Sequence, residues 1–427
     1  MSASATSAPG SAAQPVLGGV RAWVAWLVAV AFVVYYFSFQ TGYAIVNAGV
    51  QRDLSLTVPQ VGMIAATYTW VFAVFQLLSG PTLDRLGARR VLLPAIVLVT
   101  LGIVVFANAR SFGMLLLSQA MVAIGASTGF VGAGYVGGQW FGMAKFSFMF
   151  GLVQFAASIF SVINQNVLGW AVSVASWRSV FWTAGFLGGA LLFAAFALLR
   201  DPAPVARGEG IGAFFVGVGR ALAEVGRVPH VWMAAVFGAL CFGPMLALGV
   251  VWGPKLLMVR GLSQQTANVG TSLLWLGLAA GCFVAPWVSD RLRRRKLPVL
   301  AGLALQIVAL GALVYADFLP RQALVACCFL FGFGNAAHML AFSTAGDVVE
   351  PRHIGTSAAI VNGLMFVVGG ILISRPGLRI GLGMDEGLAP GSLALAQYAS
   401  RPLLVSGVAA LVVAAMMRET YPGRDSR

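Results

Sequence analysis

Twelve apolar runs, each long enough to cross a bilayer, govern what this chain of 427 residues can fold into. They lie at about 22–46, 60–79, 91–109, 113–138, 146–170 and 177–199, then 230–256, 266–288, 297–317, 322–346, 354–375 and 393–417. A helix needs about 20 apolar residues to cross the hydrocarbon core. An open strand edge would find no hydrogen-bond partner there, so every run is expected to be helical. Only 9% of the residues are charged, where a soluble domain carries about 25%.

The net charge of +14 raises nucleic acid as a partner. That reading fails, because the charge is scattered between apolar runs and builds no basic domain. It reads better as a topology signal. With both termini inside, eighteen of the 27 Lys and Arg fall in cytoplasmic segments and nine outside, the bias expected of short cytoplasmic loops. The expectation is a multi-pass protein of the bacterial cytoplasmic (inner) membrane, both termini cytoplasmic. Met1–Leu17 is a polar Ser/Ala/Pro tail without the apolar core of a signal peptide, expected to be disordered.

Two charged stretches repeat at half the chain length. Gly80-Pro-Thr-Leu-Asp84-Arg85-Leu-Gly87-Ala-Arg89-Arg90 reads as a short turn between the second and third runs. Pro286-Trp-Val-Ser-Asp290-Arg291-Leu-Arg293-Arg294-Arg295-Lys296 lies between the eighth and ninth, without the internal glycine. A loop recurring in this way indicates a protein built of two similar halves. Gly87 permits a tight turn.

The pattern G-P-x-x-D-R-x-G-x-R-R resembles the signature loop of the major facilitator superfamily, and with twelve runs and a central break the resemblance spans roughly 22–417. It implies an all-α membrane protein of twelve transmembrane helices in two pseudo-symmetric six-helix bundles, and a secondary transporter working by alternating access. The expected organisation is a tail at 1–21, bundles at 22–199 and 230–417, a cytoplasmic linker at 200–229 and a tail at 418–427. Within the linker, Ile211–Val225 reads as an amphipathic helix on the inner membrane face. The long outer loop Gly377–Ser392, with its glycines, is expected to be flexible.

The resemblance also implies a conformational latch. Gly80, Asp84, Arg85, Gly87 and Arg89 would close the cytoplasmic side by a contact from Asp84 to about Ile354–Ser357, with Asp290 and Arg291 as the second-half counterpart. The alternative is that these charges only fix topology.

Polar residues inside the spans are candidates for a substrate cavity. Gln154, Ser158, Ser161 and Gln165 share one helical face. Such a face should look inward, either lining the cavity or gluing helices together. Tyr36 and Gln40 in the first span, Trp275 in the eighth and Asn362 in the eleventh are further candidates. Asn335 and His338 are neighbours in the tenth. His338 is either a substrate ligand and proton carrier or a neutral histidine satisfied by its own helix. Lys255 and Arg375, at outer ends, either concentrate an anion at the cavity mouth or snorkel to lipid phosphate. The glycine-dense fourth span reads as a packing surface, and Pro244 as a bend in the seventh.

No Asp or Glu lies at the centre of any span, which argues against a metal-ion or polyamine substrate. Cys241, Cys282, Cys327 and Cys328 match no metal or redox spacing. No cofactor or metal is implied, and no nucleophile–base constellation marks an enzyme. The expected activity is transport of a small organic solute, an organic anion such as a carboxylate, with a proton or an exchange solute, by a monomer. An exporter of a metabolite, siderophore or drug, and a non-transporting sensor or scaffold, are the alternatives.

Overall fold

A computed structural model of the chain describes residues 18–142, 145–202 and 211–422, apart from ten side chains that include Gln165 and Asn166. The tail Met1–Leu17 lies outside the described residues. The described chain is all-α, with twelve helical stretches long and apolar enough to cross a membrane. The first six are α1 (Val20–Asp53), α2 (Val58–Leu86), α3 (Ala88–Ala107), the pair α4 (Phe112–Ala126) and α5 (Gly129–Phe141), α6 (Phe146–Val174) and α7 (Trp177–Leu198). A linker helix, α8 (Ile211–Gly226), follows. The last six are α9 (Pro229–Ala247) continued by α10 (Gly253–Val259), α11 (Gln264–Leu292), α12 (Lys296–Tyr315), α13 (Arg321–Asn335) continued by α14 (Leu340–Gly346), α15 (Ile354–Asp385) and α16 (Leu393–Met416).

Helix starts at the two ends of the molecule are made differently. At the end away from Asp84, local side chains cap all but α13, which starts after Pro320. Thr57 and Gln60 form a capping box on α2, and Ser111, Ser176, Ser263 and Ser392 cap α4, α7, α11 and α16. Each occupies unpaired N–H groups of a first turn. At the Asp84 end, α3, α12 and α15 have no local side-chain cap. Carboxylates from elsewhere serve instead. Asp201, just after α7, accepts from Ala88 N and Arg89 N. Glu419, just after α16, accepts from Arg295 N and Lys296 N. Asp84 accepts from Gly355 N and Thr356 N. Asp201 and Glu419 thus do the same work at equivalent places in the two halves.

The two charged stretches are mostly helix rather than loop. α2 runs on through Leu86, Gly87 alone turns at φ 77, and α3 starts at Ala88. In the second copy α11 reaches Leu292 and Arg293 takes the left-handed conformation at φ 50. A non-glycine residue there is strained by about 1–2 kcal/mol. Helix propagation costs little once a turn exists, so Pro81 and the charged residues after it extend α2. The same effect removes most of the expected outer loop, since α15 continues to Asp385.

Two spans expected to be continuous are broken. The fourth is interrupted at Ser127–Thr128. The tenth passes through a 3₁₀ stretch, Ala336–Met339, which holds His338. In the seventh, α9 runs through Pro244 and a π-helical segment, Leu248–Trp252, follows it. The glycines of α5 are packing positions: Gly129 lies under the Tyr36 ring, and a Cβ at Gly134 would strike Phe150.

The first six spans meet the last six along α2–α15 and α6–α11. Glycine makes both approaches possible. A Cβ on Gly80 would collide with the Gly355 carbonyl, and one on Gly151 with the Cys282 carbonyl.

Candidate functional site

Asp84 sits where α2 meets α15. Its carboxylate accepts from Gly355 N at 3.1 Å and from Thr356 N and Oγ1, each at 2.9 Å. An acceptor at a helix N-terminus is favoured by the unpaired N–H groups and by the helix dipole. These bonds join α2 to α15 beside the close Gly80–Gly355 approach.

Two turns further into the membrane, a second bond crosses the same interface. Asn362 Nδ2 donates to Gln76 Oε1 at 2.9 Å, and Gln76 Nε2 donates to Ser79 Oγ at 2.7 Å. Gln76 is fully buried. Beside this pair lies a small enclosed cavity between the halves, about 30 Å³. Its polar lining is Tyr36, Gln154, His338 and Asn362. Phe37, Phe72, Phe130, Phe242, Phe342 and Phe366 supply most of the remaining wall.

His338 stacks obliquely on Phe242 with centroids 4.5 Å apart. Its Nδ1 is 2.7 Å from the Asn335 carbonyl oxygen. A carbonyl only accepts, so Nδ1 carries the proton, and in the neutral ring Nε2 is a bare acceptor. Gln154 Nε2 donates to Ser158 Oγ at 3.2 Å. The wall thus presents one imidazole acceptor and two amide side chains to a space of about one or two waters.

Residues 27–374 match the model of the Major Facilitator Superfamily. The chain belongs to that superfamily. It is a transporter and not an enzyme. It is 20% identical over 375 residues to a probable galactarate/D-glucarate transporter of Escherichia coli (strain K12), covering 79% of this chain and 82% of that one. It is 23% identical over 391 residues to the 3-(3-hydroxy-phenyl)propionate transporter of the same organism, covering 90% and 91%. Among solved structures it resembles a bacterial homologue of the human lysosomal transporter Spinster in an inward-facing, unoccupied conformation, with a TM-score of 0.59, 19% identity and coverage of 94% and 96%.

On this superfamily fold, several expected site residues stand apart from the cavity wall. Ser158 is buried behind Gln154. Trp275 donates to the Gly249 carbonyl and packs near Phe37. Asn335 faces away, donating to the Cys241 carbonyl in a network with Gln306. The 3₁₀ turn rotates it off the face that carries His338, a break that uniform helical spacing cannot anticipate. Gln40 is half-buried on α1, outside the lining, and its Oε1 has no partner. The Gln165 side chain lies outside the described residues.

The expected charge network around Asp84 also differs. Arg89 turns to the end of α7, donating to the carbonyls of Leu199 and Phe196. Arg85 lies against Gly217 of the linker helix. Asp290 pairs with Arg295 at 2.8 Å, while Arg291 is exposed. Arg295 also reaches Asp347 at 3.1 Å and lies over the Tyr421 ring, tying α11, α12 and the chain's end together within the last six spans. Burial holds the Asp347 carboxyl above its usual range, against the pull of Arg295. Lys255 is exposed over the Trp252 ring, and Arg375 is exposed beside a shallow groove with Arg379 and Asp385.

Asp84 meets Gly355 and Thr356, inside the expected stretch Ile354–Ser357, whereas Gln76 and the six phenylalanines escaped the sequence reading. Gln76 was visible as a lone amide one turn before Gly80, in a span otherwise apolar at that depth. The phenylalanines gave no signal, because lipid-facing and cavity-facing aromatics look alike in a membrane span.

Proposed function

We propose that this transporter carries a small carboxylate by alternating access, with the Asp84 end and both termini in the cytoplasm, and acts as a monomer. The observation that carries the reading is a cavity between the halves with four polar side chains in its wall, beside bonds that run from one half to the other at the Asp84 end. The relatives above are named as a probable galactarate/D-glucarate transporter and a 3-(3-hydroxy-phenyl)propionate transporter, and an acid is common to both names. Tyr36, Gln154, His338 and Asn362 bind it. Asp84, with Gly80, forms the latch and meets Gly355 and Thr356. Lys255 and Arg375 add positive potential at the outer end, where an incoming anion arrives.

His338 is the proton-sharing group. Its bare Nε2 accepts from a protonated carboxyl, or takes the proton and pairs with the carboxylate. The titratable side chains nearby are Cys241 of α9, Cys282 of α11 behind it, and Tyr36 of α1 across the cavity. The residues lining the cavity from α5, α6, α14 and α15 include Phe130, Gln154, Phe342 and Asn362, which do not titrate. No carboxylate or cation lines the cavity to compete for that proton.

Uptake into proteoliposomes tests this. An inward proton gradient should drive accumulation of at least one carboxylate. Transport of neutral solutes or lipophilic cations with no carboxylate carried would overturn it.

A further inference from the structure

We infer that the body of the transported acid is aromatic, and that the six-phenylalanine wall, with Phe72 and Phe366 at its centre, sets that specificity. The inference rests on the carboxylate reading, which leaves the rest of the acid open.

The cavity's polar capacity is small and mostly committed. Tyr36 bonds the Phe130 backbone, Gln154 bonds Ser158, Asn362 bonds Gln76, and His338 Nδ1 bonds Asn335. What remains is His338 Nε2, the Gln154 and Asn362 amide oxygens, one spare N–H of each amide and the Tyr36 O–H, whose oxygen accepts from the Phe130 backbone. One carboxyl group takes the spare N–H groups and His338 Nε2, and leaves only the two amide oxygens as acceptors for anything further. A polyhydroxylated acid would bring several more hydroxyls into a wall of phenylalanine. Each hydroxyl left without a partner lowers affinity roughly 5- to 150-fold.

The wall itself favours a ring. Phe72 of α2 and Phe366 of α15 touch across the halves with centroids 4.3 Å apart, tilted by 43°. Phe342 meets Phe130 at 5.7 Å and Phe150 at 4.9 Å. These are the separations at which aromatic pairs attract beyond simple area burial. With only about 30 Å³ open, the rings nearly fill the space. A ligand must part Phe72 from Phe366, and a flat ring placed between them replaces the contact it breaks. A sugar acid breaks it and returns nothing.

Unpaired buried polar atoms one turn outward are consistent with a ligand path. Tyr68 stacks on Phe72 at 5.8 Å, and its hydroxyl is buried without a partner. Gln40 Oε1 is likewise unpartnered on α1. Such groups carry a desolvation cost unless another state pairs them.

The test uses the full-length protein in proteoliposomes and, in detergent, its thermal stabilisation by 3-phenylpropionate, 3-cyclohexylpropionate, D-galactonate and D-glucarate. We expect 3-phenylpropionate to accumulate under an inward proton gradient and to stabilise at concentrations at least about 30-fold below either sugar acid. The cyclohexyl analogue should bind about 5- to 10-fold more weakly, since it lacks the ring quadrupole. Phe366→Ala should weaken 3-phenylpropionate about tenfold or more without changing the ligand-free melting point by the same proportion. The wild-type comparison stands even if that variant folds poorly. Preference for D-galactonate or D-glucarate, or equal binding of the cyclohexyl acid, would overturn the aromatic assignment while leaving carboxylate transport intact. Failure of every carboxylate would remove both.

Discussion

Thr356 donates to Asp84 twice, from its backbone N–H and from its Oγ1, both at 2.9 Å, and the two residues come from opposite halves of the chain. The bond is made at the first turn of α15, which has no cap of its own. Opening the Asp84 end therefore exposes an uncapped helix start and a carboxylate together. Both must find water before the transporter can face that side.

Asp84→Asn keeps the shape and one acceptor oxygen but removes the charge that favours the helix start. Charge-assisted bonds exceed neutral ones by about 1–2 kcal/mol. Turnover in proteoliposomes should fall about 5- to 30-fold, with substrate affinity within about threefold of wild type. Unchanged turnover would remove the latch assignment.

Gly80→Val should bias the protein toward the state open at the Asp84 end, because the added side chain occupies the position of the Gly355 carbonyl. Overpacking of this kind costs about 1–3 kcal/mol, a shift of roughly 5- to 150-fold in population. A cysteine placed at Ser79, buried in the closed interface, in a background without the four native cysteines, should become reactive to a maleimide. Protection equal to that of the Gly80 protein would show that the contact does not control closure.

His338→Gln retains a hydrogen-bonding side chain and removes the group that can gain a proton. Wild-type accumulation should rise as pH is lowered on the side of entry. The variant should carry substrate only down its own gradient, at a rate insensitive to pH. A preserved pH profile would reduce His338 to a structural residue held by Asn335.

Glu419 is the carboxylate with a pH signature in stability. Burial alone would raise it, but donation from the backbone N–H groups of Arg295, Tyr421, Lys296 and Thr420 outweighs this and holds it below its usual range. A depressed carboxylate adds stability that is complete above its unfolded value, near pH 4.3, and is lost as pH falls through the folded value. The side chain is only half-buried, so the contribution is about 0.5–1 kcal/mol. Glu419→Gln should lower the melting temperature by about 1–3 °C at pH 7. The two proteins should converge once pH has fallen below the depressed folded-state value. An equal gap at both pH values would mean that Glu419 acts without its charge.

The amino-acid sequence by itself determined the number of spans, their helical form and the two-half plan. Those follow from apolar length and from the bilayer's refusal of unpaired backbone, which act on each segment separately. It also marked Asp84, through the resemblance of the G-P-x-x-D-R-x-G stretch between two spans to the superfamily's signature loop. What it could not fix was which polar residues share a cavity. Asn335 and His338 are three apart, yet a single 3₁₀ turn sends one to Cys241 and the other to the cavity. Asp201 and Glu419 look like loop charges, yet each caps a helix that starts more than a hundred residues earlier. Gln76 and Asn362 are 286 positions apart and meet only because glycines at 80 and 355 let α2 and α15 touch. Such pairings depend on where one helix lies against another, and that is decided by packing across the whole bundle rather than by any local stretch of chain.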